Sequence, residues 1–249
     1  MASPRKLSEP VKPKKPIVDP GKEFLKTVNS MQMKYGIGRV FDDFCHMSLC
    51  ALHNGFAHVD QLESEYLDIA GKYDSDEMVK MSHLLSYVVL ALEGDPNKDF
   101  LGRMFAVLEL ADANQAFTPP SVATMMAKMT LGETVPKGRE FVTVSDPACG
   151  SGNMVIAAAA VVRNDWQENV VRFLFAEAVD INRTCVAMAY VQLTLLGIPA
   201  RVVLGNTLKM EHSRCYYTPA YWLGNWEYRL KHSDGMRRPR KLSAPRPRR

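Results

Sequence analysis

Cysteine is scarce in this sequence, and its spacing lacks the pairs that disulfide frameworks and zinc sites use. The five cysteines form no Cys-x-x-Cys pair, and their number is odd. This pattern argues against both kinds of site and predicts reduced thiols in a cytoplasmic protein. The residues concerned are Cys45, Cys50, Cys149, Cys185 and Cys215.

Long apolar runs are also missing. No run reaches the roughly 18 residues that a membrane-spanning helix requires. The first 15 residues contain charges and prolines but lack the apolar segment of a secretory signal. The sequence therefore predicts neither a membrane anchor nor export. Its 249 residues, 47% of them hydrophobic, suffice for one large domain or two small ones with a buried core.

Positive charge is concentrated near the two ends of the chain. Residues 229–249 carry nine Lys or Arg and one Asp, a net charge of +8, whereas the whole chain has only +4. Residues 1–22 combine lysines with five prolines. Both segments are predicted to be disordered tails. A basic tail such as residues 229–249 either binds DNA through phosphate contacts or is simply a solvated tail, and both interpretations stay open here.

Residues 23–112 are predicted to form a helical N-terminal region. Apolar side chains recur there at three- and four-residue spacing, which is typical of helices with one buried face. We interpret the methionine-rich stripes as core rather than as ligand contacts. The segments concerned are 40–51, 62–70, 78–89 and 100–108.

Residues 113–228 alternate between strand-like and helical segments. Strand patterns cover 141–145, 173–179 and 201–204, and helical patterns cover 154–162 and 183–196. This alternation is typical of a parallel α/β sheet. The predicted fold is therefore an α/β, Rossmann-like domain with a short parallel sheet, preceded by the α-helical region.

An aromatic stretch follows the last predicted strand. Aromatic rings beside arginines stack on nucleic acid bases, or they cover the exposed edge of a short sheet. We favour packing against the sheet. The residues are Tyr216, Tyr217, Tyr221, Trp222, Trp226 and Tyr228.

A glycine-containing segment stands where the first predicted strand passes into a helix. It reads Asp146-Pro147-Ala148-Cys149-Gly150-Ser151-Gly152. Ligands of open α/β sheets bind outside the carboxyl ends of the strands, and residues without a Cβ let the backbone approach them closely. Free N–H groups at the start of the helix suit a carboxylate. Asp146 is placed to accept a hydrogen bond from a ligand ammonium group or a bound water, although an ordinary strand-to-helix turn is the alternative.

The same string closely resembles the first motif of adenine-N6 DNA methyltransferases, including the modification subunits of type I restriction systems. The resemblance extends over residues 99–208 and implies S-adenosylmethionine as cofactor and DNA as substrate. Upstream, Phe117-Thr118-Pro119 looks like the family turn that packs against the methionine part of the cofactor. The resemblance implies that Phe117 lies beside the sulfonium and that Thr118 offers its hydroxyl and backbone groups. A helix-entry turn with Phe117 in the core is the alternative.

Downstream, Asp180-Ile181-Asn182 is similar to the family segment whose acid binds the ribose hydroxyls. Glu177 is the rival acid. Because side chains alternate along a strand, Glu177 and Asp180 lie on opposite faces, and we favour Asp180. Ile181 either covers the adenine ring or belongs to the core.

After the third predicted strand, Gly205-Asn206-Thr207-Leu208 matches the next family segment. The resemblance implies that the amide oxygen of Asn206 contacts the adenine amine. A surface turn is the alternative, since Gly-Asn forms turns readily.

The family's catalytic tetrapeptide, Asn/Asp-Pro-Pro-Tyr/Phe, which holds a flipped-out adenine, is missing. The nearest string after Asn206 is Tyr217-Thr218-Pro219-Ala220-Tyr221, which has one proline and neither acid nor amide. The resemblance therefore covers the cofactor-binding half only, with three predicted strands against seven in the family, and assigns no catalytic residue. We expect this chain to bind the methyl donor and a partner protein to supply the catalytic or target-recognition part. A non-catalytic DNA-binding or regulatory module is one alternative, and a methyltransferase acting on RNA or protein is another.

Overall fold

The N-terminal part of the chain is helical, and its first helix begins earlier than predicted. The computed structural model describes residues 18–111, 115 and 118–232. Helix α1 (Pro20–Tyr35) begins where the Asp19 carboxylate accepts hydrogen bonds from the N–H groups of Gly21 (3.0 Å) and Lys22 (3.3 Å). Residues 20–22 therefore belong to a helix, which corrects the predicted tail boundary, because a side-chain cap and an N-terminal proline start a helix locally. Residues 1–17 of that tail lie outside the described part.

The four predicted helices of the N-terminal region are confirmed to within a few residues. They are α2 (Ile37–Asn54), α3 (Asp60–Ala70), α4 (Ser75–Gly94) and α5 (Phe100–Val107). Asp74 caps α4 in a reciprocal capping box with Glu77. Edge-on ring contacts then join three of the helices, since Phe24 lies 5.5 Å from Phe44 and 5.6 Å from Phe100 between ring centroids.

The second part of the described chain folds around one sheet. Three of its strands, β1 (Val142–Asp146), β2 (Leu174–Asp180) and β3 (Ala200–Asn206), are parallel and neighbour one another in chain order. This confirms the predicted α/β class. The helices of this part before β3 are α6 (Pro120–Leu131), α7 (Asn153–Ala160) with a following π-helical turn (Val161–Asp165), α8 (Val170–Phe173) and α9 (Arg183–Leu195).

A fourth strand, β4 (Glu211–Tyr217), corrects the predicted strand count. It pairs with β3 in the antiparallel direction, so the sheet order is β1-β2-β3-β4 and the sheet is mixed. The strand begins with Glu211, His212 and Ser213, which are all exposed. A half-exposed edge strand with polar side chains lacks the apolar run by which the other three strands were predicted.

Helix α9 joins the N-terminal helices to the sheet. Its residues from Cys185 to Leu193 are buried without exception, because α2 packs on one side of it and the sheet on the other. One continuous apolar core consequently includes side chains from both parts of the chain. The predicted boundary between the two regions, at residue 112, lies outside the described residues. The division of the chain into two regions therefore stays a prediction.

The aromatic residues near the end of the described chain pack against the sheet. Trp226, at the start of α11 (Trp226–His232), is fully buried, and its indole lies 4.9 Å from the ring of Phe141 and 5.7 Å from that of Phe175. Tyr221, in α10 (Pro219–Leu223), belongs to the same cluster. The packing interpretation is thereby confirmed for Tyr221 and Trp226. Helix α11 continues to His232, so the predicted tail beginning at residue 229 starts too early, and residues 233–249 lie outside the description.

The described helices include none that is both long enough and apolar enough to cross a bilayer. The five cysteines are all free thiols. Within the described ranges, no three His, Cys, Asp or Glu side chains group closely enough to hold a metal ion.

Candidate functional site

A glycine loop, residues 147–152, connects the carboxyl end of β1 to α7. The backbone takes positive φ angles at Gly150 (53°) and Gly152 (91°), which side chains with a Cβ rarely tolerate. A Cβ on Gly152 would also lie 3.4 Å from the Cβ of Ala189 in α9. Glycine at these positions therefore lets the loop turn sharply while it stays packed against α9.

Hydrogen bonds attach the glycine loop to the end of β2. The N–H of Cys149 donates to the carbonyl of Val179 (2.9 Å), and the N–H of Gly150 donates to Oδ2 of Asp180 (2.8 Å). The other oxygen of Asp180 accepts from the N–H of Asn182 at the start of α9 (2.8 Å). Asp180 thus stands at the junction of the loop, β2 and α9, with further lone pairs on both oxygens.

Glu177, the rival acid, is engaged elsewhere. It forms an ion pair with Arg201 of β3, whose side chain is mostly buried. As the strand alternation predicts, Glu177 and Asp180 are on opposite faces of β2. Of these two acids, Asp180 is the one that contacts the glycine loop.

Asp146 closes the turn at the end of β1. Its Oδ1 accepts a hydrogen bond from the N–H of Ala148 (3.2 Å). Burial raises the pKa of Asp146, and the negative charge of Asp180 raises it further. Two carboxylates thus face one short stretch of backbone, an arrangement that attracts a positively charged group.

A cavity of about 400 Å³ opens beside the glycine loop, between β1, α6 and α7. Its volume falls within the usual range of small-molecule sites. Side chains of α6, including Met126 and Thr130, form the opposite wall. Six of the predicted site residues line it together, namely Thr118, Asp146, Pro147, Ala148, Gly150 and Ser151.

The remaining predicted residues that the structure describes do not line this cavity. Gly152, the last residue of the loop, is the N-cap of α7, and Pro119 is the N-cap of α6. Ile181 is 69% exposed, so the core alternative for it is wrong. Asn206 ends β3, and its side-chain oxygen accepts from the N–H of Lys209 (3.1 Å). Phe117 lies outside the described residues.

Several contacts of the site were not predicted from the sequence. Asn153 donates from its side-chain amide to the carbonyl of Thr118 (2.8 Å), and Thr207 donates to the carbonyl of Pro147 (2.7 Å). These bonds join segments 35 and 60 residues apart, and no local pattern signals such pairs. Of these two side chains, Thr207 could have been found from the sequence, because it belongs to the segment Gly205-Asn206-Thr207-Leu208 that matches the family.

The amino end of α7 adds partial positive charge to the site. Its N-cap, Gly152, has no side chain to satisfy the first N–H groups of the helix. Those groups suit the carboxylate of a ligand. Carboxylates and uncapped helix N–H groups near one loop therefore match a ligand that bears both an ammonium and a carboxylate.

Comparisons with known proteins identify one family. Residues 98–240 match the family model described as N-6 DNA Methylase. No curated protein matches the chain. A solved structure from Listeria monocytogenes, provisionally described as a class I S-adenosylmethionine-dependent methyltransferase, is 16% identical, with a TM-score of 0.42 over 73% of this chain. The chain spans about half of that protein, with 51% of it covered.

Proposed function

The chain belongs to the N-6 DNA methylase family, and from this premise we propose that it binds S-adenosylmethionine beside the glycine loop and serves in the methylation of adenine N6 in DNA. The observation that carries the proposal is that residues of two separate predicted segments, Thr118 and the 146–151 string, line one cavity, while Asp180 from a third segment bonds to the glycine loop. An ordinary strand-to-helix turn has no need of such a cavity.

The groups present fit the proposed cofactor. Its ammonium and sulfonium carry positive charge, which Asp146 and Asp180 attract, and its carboxylate suits the N–H groups at the start of α7. Asp180 has lone pairs left for the ribose hydroxyls, and the exposed Ile181 is available to cover the adenine ring. We assign contacts with the methionine part to Thr118 and the turn around it, and contact with the adenine amine to Asn206. When bound, the cofactor would supply the electrophilic methyl group.

The proposal gives this chain the cofactor site. Residues 1–249 contain no Asn/Asp-Pro-Pro-Tyr/Phe motif, so no base-binding residue is assigned within them, and we propose that a partner protein supplies these residues. DNA contacts are assigned in part to the basic segment 229–249. A role in a cytoplasmic restriction-modification system is proposed from the motif resemblance alone.

A second candidate function is a non-catalytic DNA-binding or regulatory module that keeps the methyltransferase fold. The missing motif and the +8 charge of residues 229–249 favour it. Under this alternative the cavity need not bind the cofactor for the protein to act on DNA.

Two measurements test the proposal. Titration calorimetry with S-adenosylmethionine is expected to show one site per chain, and absence of heat and of thermal stabilisation would exclude the cofactor role. Transfer of a tritiated methyl group to mixed-sequence DNA is expected to need an added partner. Transfer by the isolated chain would show that this chain holds its own base-binding residues. If DNA binding persists while cofactor binding is absent, the second candidate is favoured.

A further inference from the structure

A buried polar network lies beneath the glycine loop and connects it to two helices. The hydroxyl of Ser151 donates to Oδ2 of Asp99, the residue that caps α5. Oδ1 of Asp99 accepts from the side-chain amide of Gln192 in α9 (2.9 Å). Gln192 is fully buried and Ser151 is 1% exposed, and Asp99 between them is partly buried.

Gln192 is satisfied at every polar atom of its side chain. Besides Asp99, its amide nitrogen donates to the carbonyl of Ser151 (3.0 Å), and its oxygen accepts from the N–H of Leu101 (3.0 Å). Removing one member of a buried network leaves the others without partners, which costs about 1–3 kcal/mol for each orphaned group.

Gly102 shows how closely these groups approach one another. Its N–H donates to Oδ1 of Asp99 (2.9 Å). A Cβ at this position would overlap the side chains of Asp99 and Ser151. The first turn of α5 therefore has no room for a side chain at residue 102, because the bonded side chains of Asp99 and Ser151 occupy that space.

We propose that Asp99 and Gln192 are positioning residues that hold the glycine loop in the conformation that binds the cofactor. Neither lines the cavity, and both act through Ser151 and the loop backbone. The identity of the ligand in this proposal rests on the proposed function. The effect of Asp99 and Gln192 on the conformation of the loop does not depend on which ligand binds. The competing explanation is that Asp99 serves only as the helix cap of α5.

A matched pair of cap deletions separates the two explanations. Asp74 caps α4 as Asp99 caps α5, with Oδ1 accepting from a backbone N–H at 2.9 Å in both cases. The side chain of Asp74 bonds to Glu77 and Lys34, in a part of the chain remote in sequence from the loop. Asp99→Ala and Asp74→Ala thus remove equivalent caps, and only the first removes a partner of Ser151.

Hydrogen–deuterium exchange of the ligand-free chain is the first measurement. We expect Asp99→Ala to speed exchange at the N–H groups of residues 149–152 by about tenfold or more, and Asp74→Ala to leave them unchanged. Unchanged loop exchange in Asp99→Ala would overturn the proposal. If Asp99→Ala fails to fold, Ser151→Ala provides the same test, because it removes only the hydroxyl.

Titration with S-adenosylmethionine is the second measurement. Affinity is expected to fall about tenfold in Asp99→Ala and to stay near the wild-type value in Asp74→Ala. Asp99→Asn should restore binding, since asparagine still accepts from Gly102 and its amide can donate to the Ser151 oxygen. Equal losses in Asp99→Asn and Asp99→Ala would contradict the positioning role. If the wild-type chain binds no cofactor, the proposed function fails, while the exchange comparison still decides whether Asp99 positions the loop.

Discussion

Two acids of one strand have different surroundings, and this difference can be measured. Asp180 accepts from the N–H of Gly150, whereas Glu177 pairs with Arg201 on the other face of β2. We expect Asp180→Asn to weaken S-adenosylmethionine binding by about tenfold or more, because an amide cannot accept at both positions that a carboxylate offers. Calorimetric titration measures this change.

Glu177→Gln is the matched control for that substitution. It keeps the size of the side chain on the opposite face and is expected to leave affinity unchanged. Equal losses in the two variants would mean that the effect comes from β2 as a whole and not from a contact with the cofactor.

The raised pKa of Asp146 predicts a dependence of stability on pH. Burial, and then the charge of Asp180, raise this pKa in the folded state above the unfolded value. Stability linked to such a group is present at low pH and is lost as the pH rises through the folded pKa. Asp146→Asn should therefore raise the unfolding temperature at pH 7 relative to the wild type, and much less at a pH below 4.

The same substitution should weaken cofactor binding, because the negative charge that attracts the ligand ammonium is removed. This combination of higher stability and lower affinity is typical of functional residues. Thermal unfolding followed at several pH values is the measurement. An Asp146→Asn variant that is less stable at pH 7 would contradict the account given for this carboxyl group.

At the scale of single elements, the turn into α7 depends on glycine because of its backbone conformation. Gly152 has φ of 91°, and an added Cβ would come within 3.4 Å of Ala189. Gly152→Ala is expected to lower the free energy of unfolding by about 1–2 kcal/mol from the backbone alone, and to weaken cofactor binding by shifting the loop. Denaturant unfolding and calorimetry measure the two effects.

Gly138 offers the control for the backbone effect. It also has a positive φ, 74°, but an added Cβ would meet nothing within 4 Å. Gly138→Ala should therefore show a similar loss of stability with unchanged affinity. If it weakens binding as much as Gly152→Ala does, the loss is not specific to the glycine loop.

At the scale of the whole molecule, one core joins the helical part to the sheet. The three tryptophans, Trp166, Trp222 and Trp226, all belong to the second part of the chain, whereas the helices dominate the circular dichroism signal. Trp166 lies in this core, and Trp226 packs against Phe175 of β2 in a second cluster on the same sheet, so both signals should report a single unfolding transition.

Phe44→Ala tests this cooperativity from the helical side. Phe44 is 1% exposed and packs against Phe24, so its truncation should cost about 3–5 kcal/mol. The circular dichroism and fluorescence midpoints are expected to fall together. A shift in the dichroism midpoint alone would show that the helical part unfolds independently.

Local sequence patterns determined much of this structure. Helices α2 to α5 follow from their apolar spacing, and strands β1 to β3 follow from short apolar runs between helices. The position of the glycine loop also follows, since a strand, two glycines and a helix are consecutive in the chain. Such features depend on interactions between near neighbours, which a pattern records. The edge strand β4 escaped prediction because its polar residues resemble those of a loop.

Tertiary structure alone decided how the loop is held. Ser151 was predicted from its neighbours in the motif, yet its hydroxyl bonds to Asp99, 52 residues earlier, and Asp99 in turn bonds to Gln192, 93 residues later. Strand alternation implied only that Glu177 and Asp180 do not both serve, and the motif resemblance favoured Asp180, but the contact of Asp180 with Gly150 is visible only in the fold. Side chains so far apart in the chain meet only after packing brings α5, α9 and the loop together, and the burial that follows gives those polar contacts their strength.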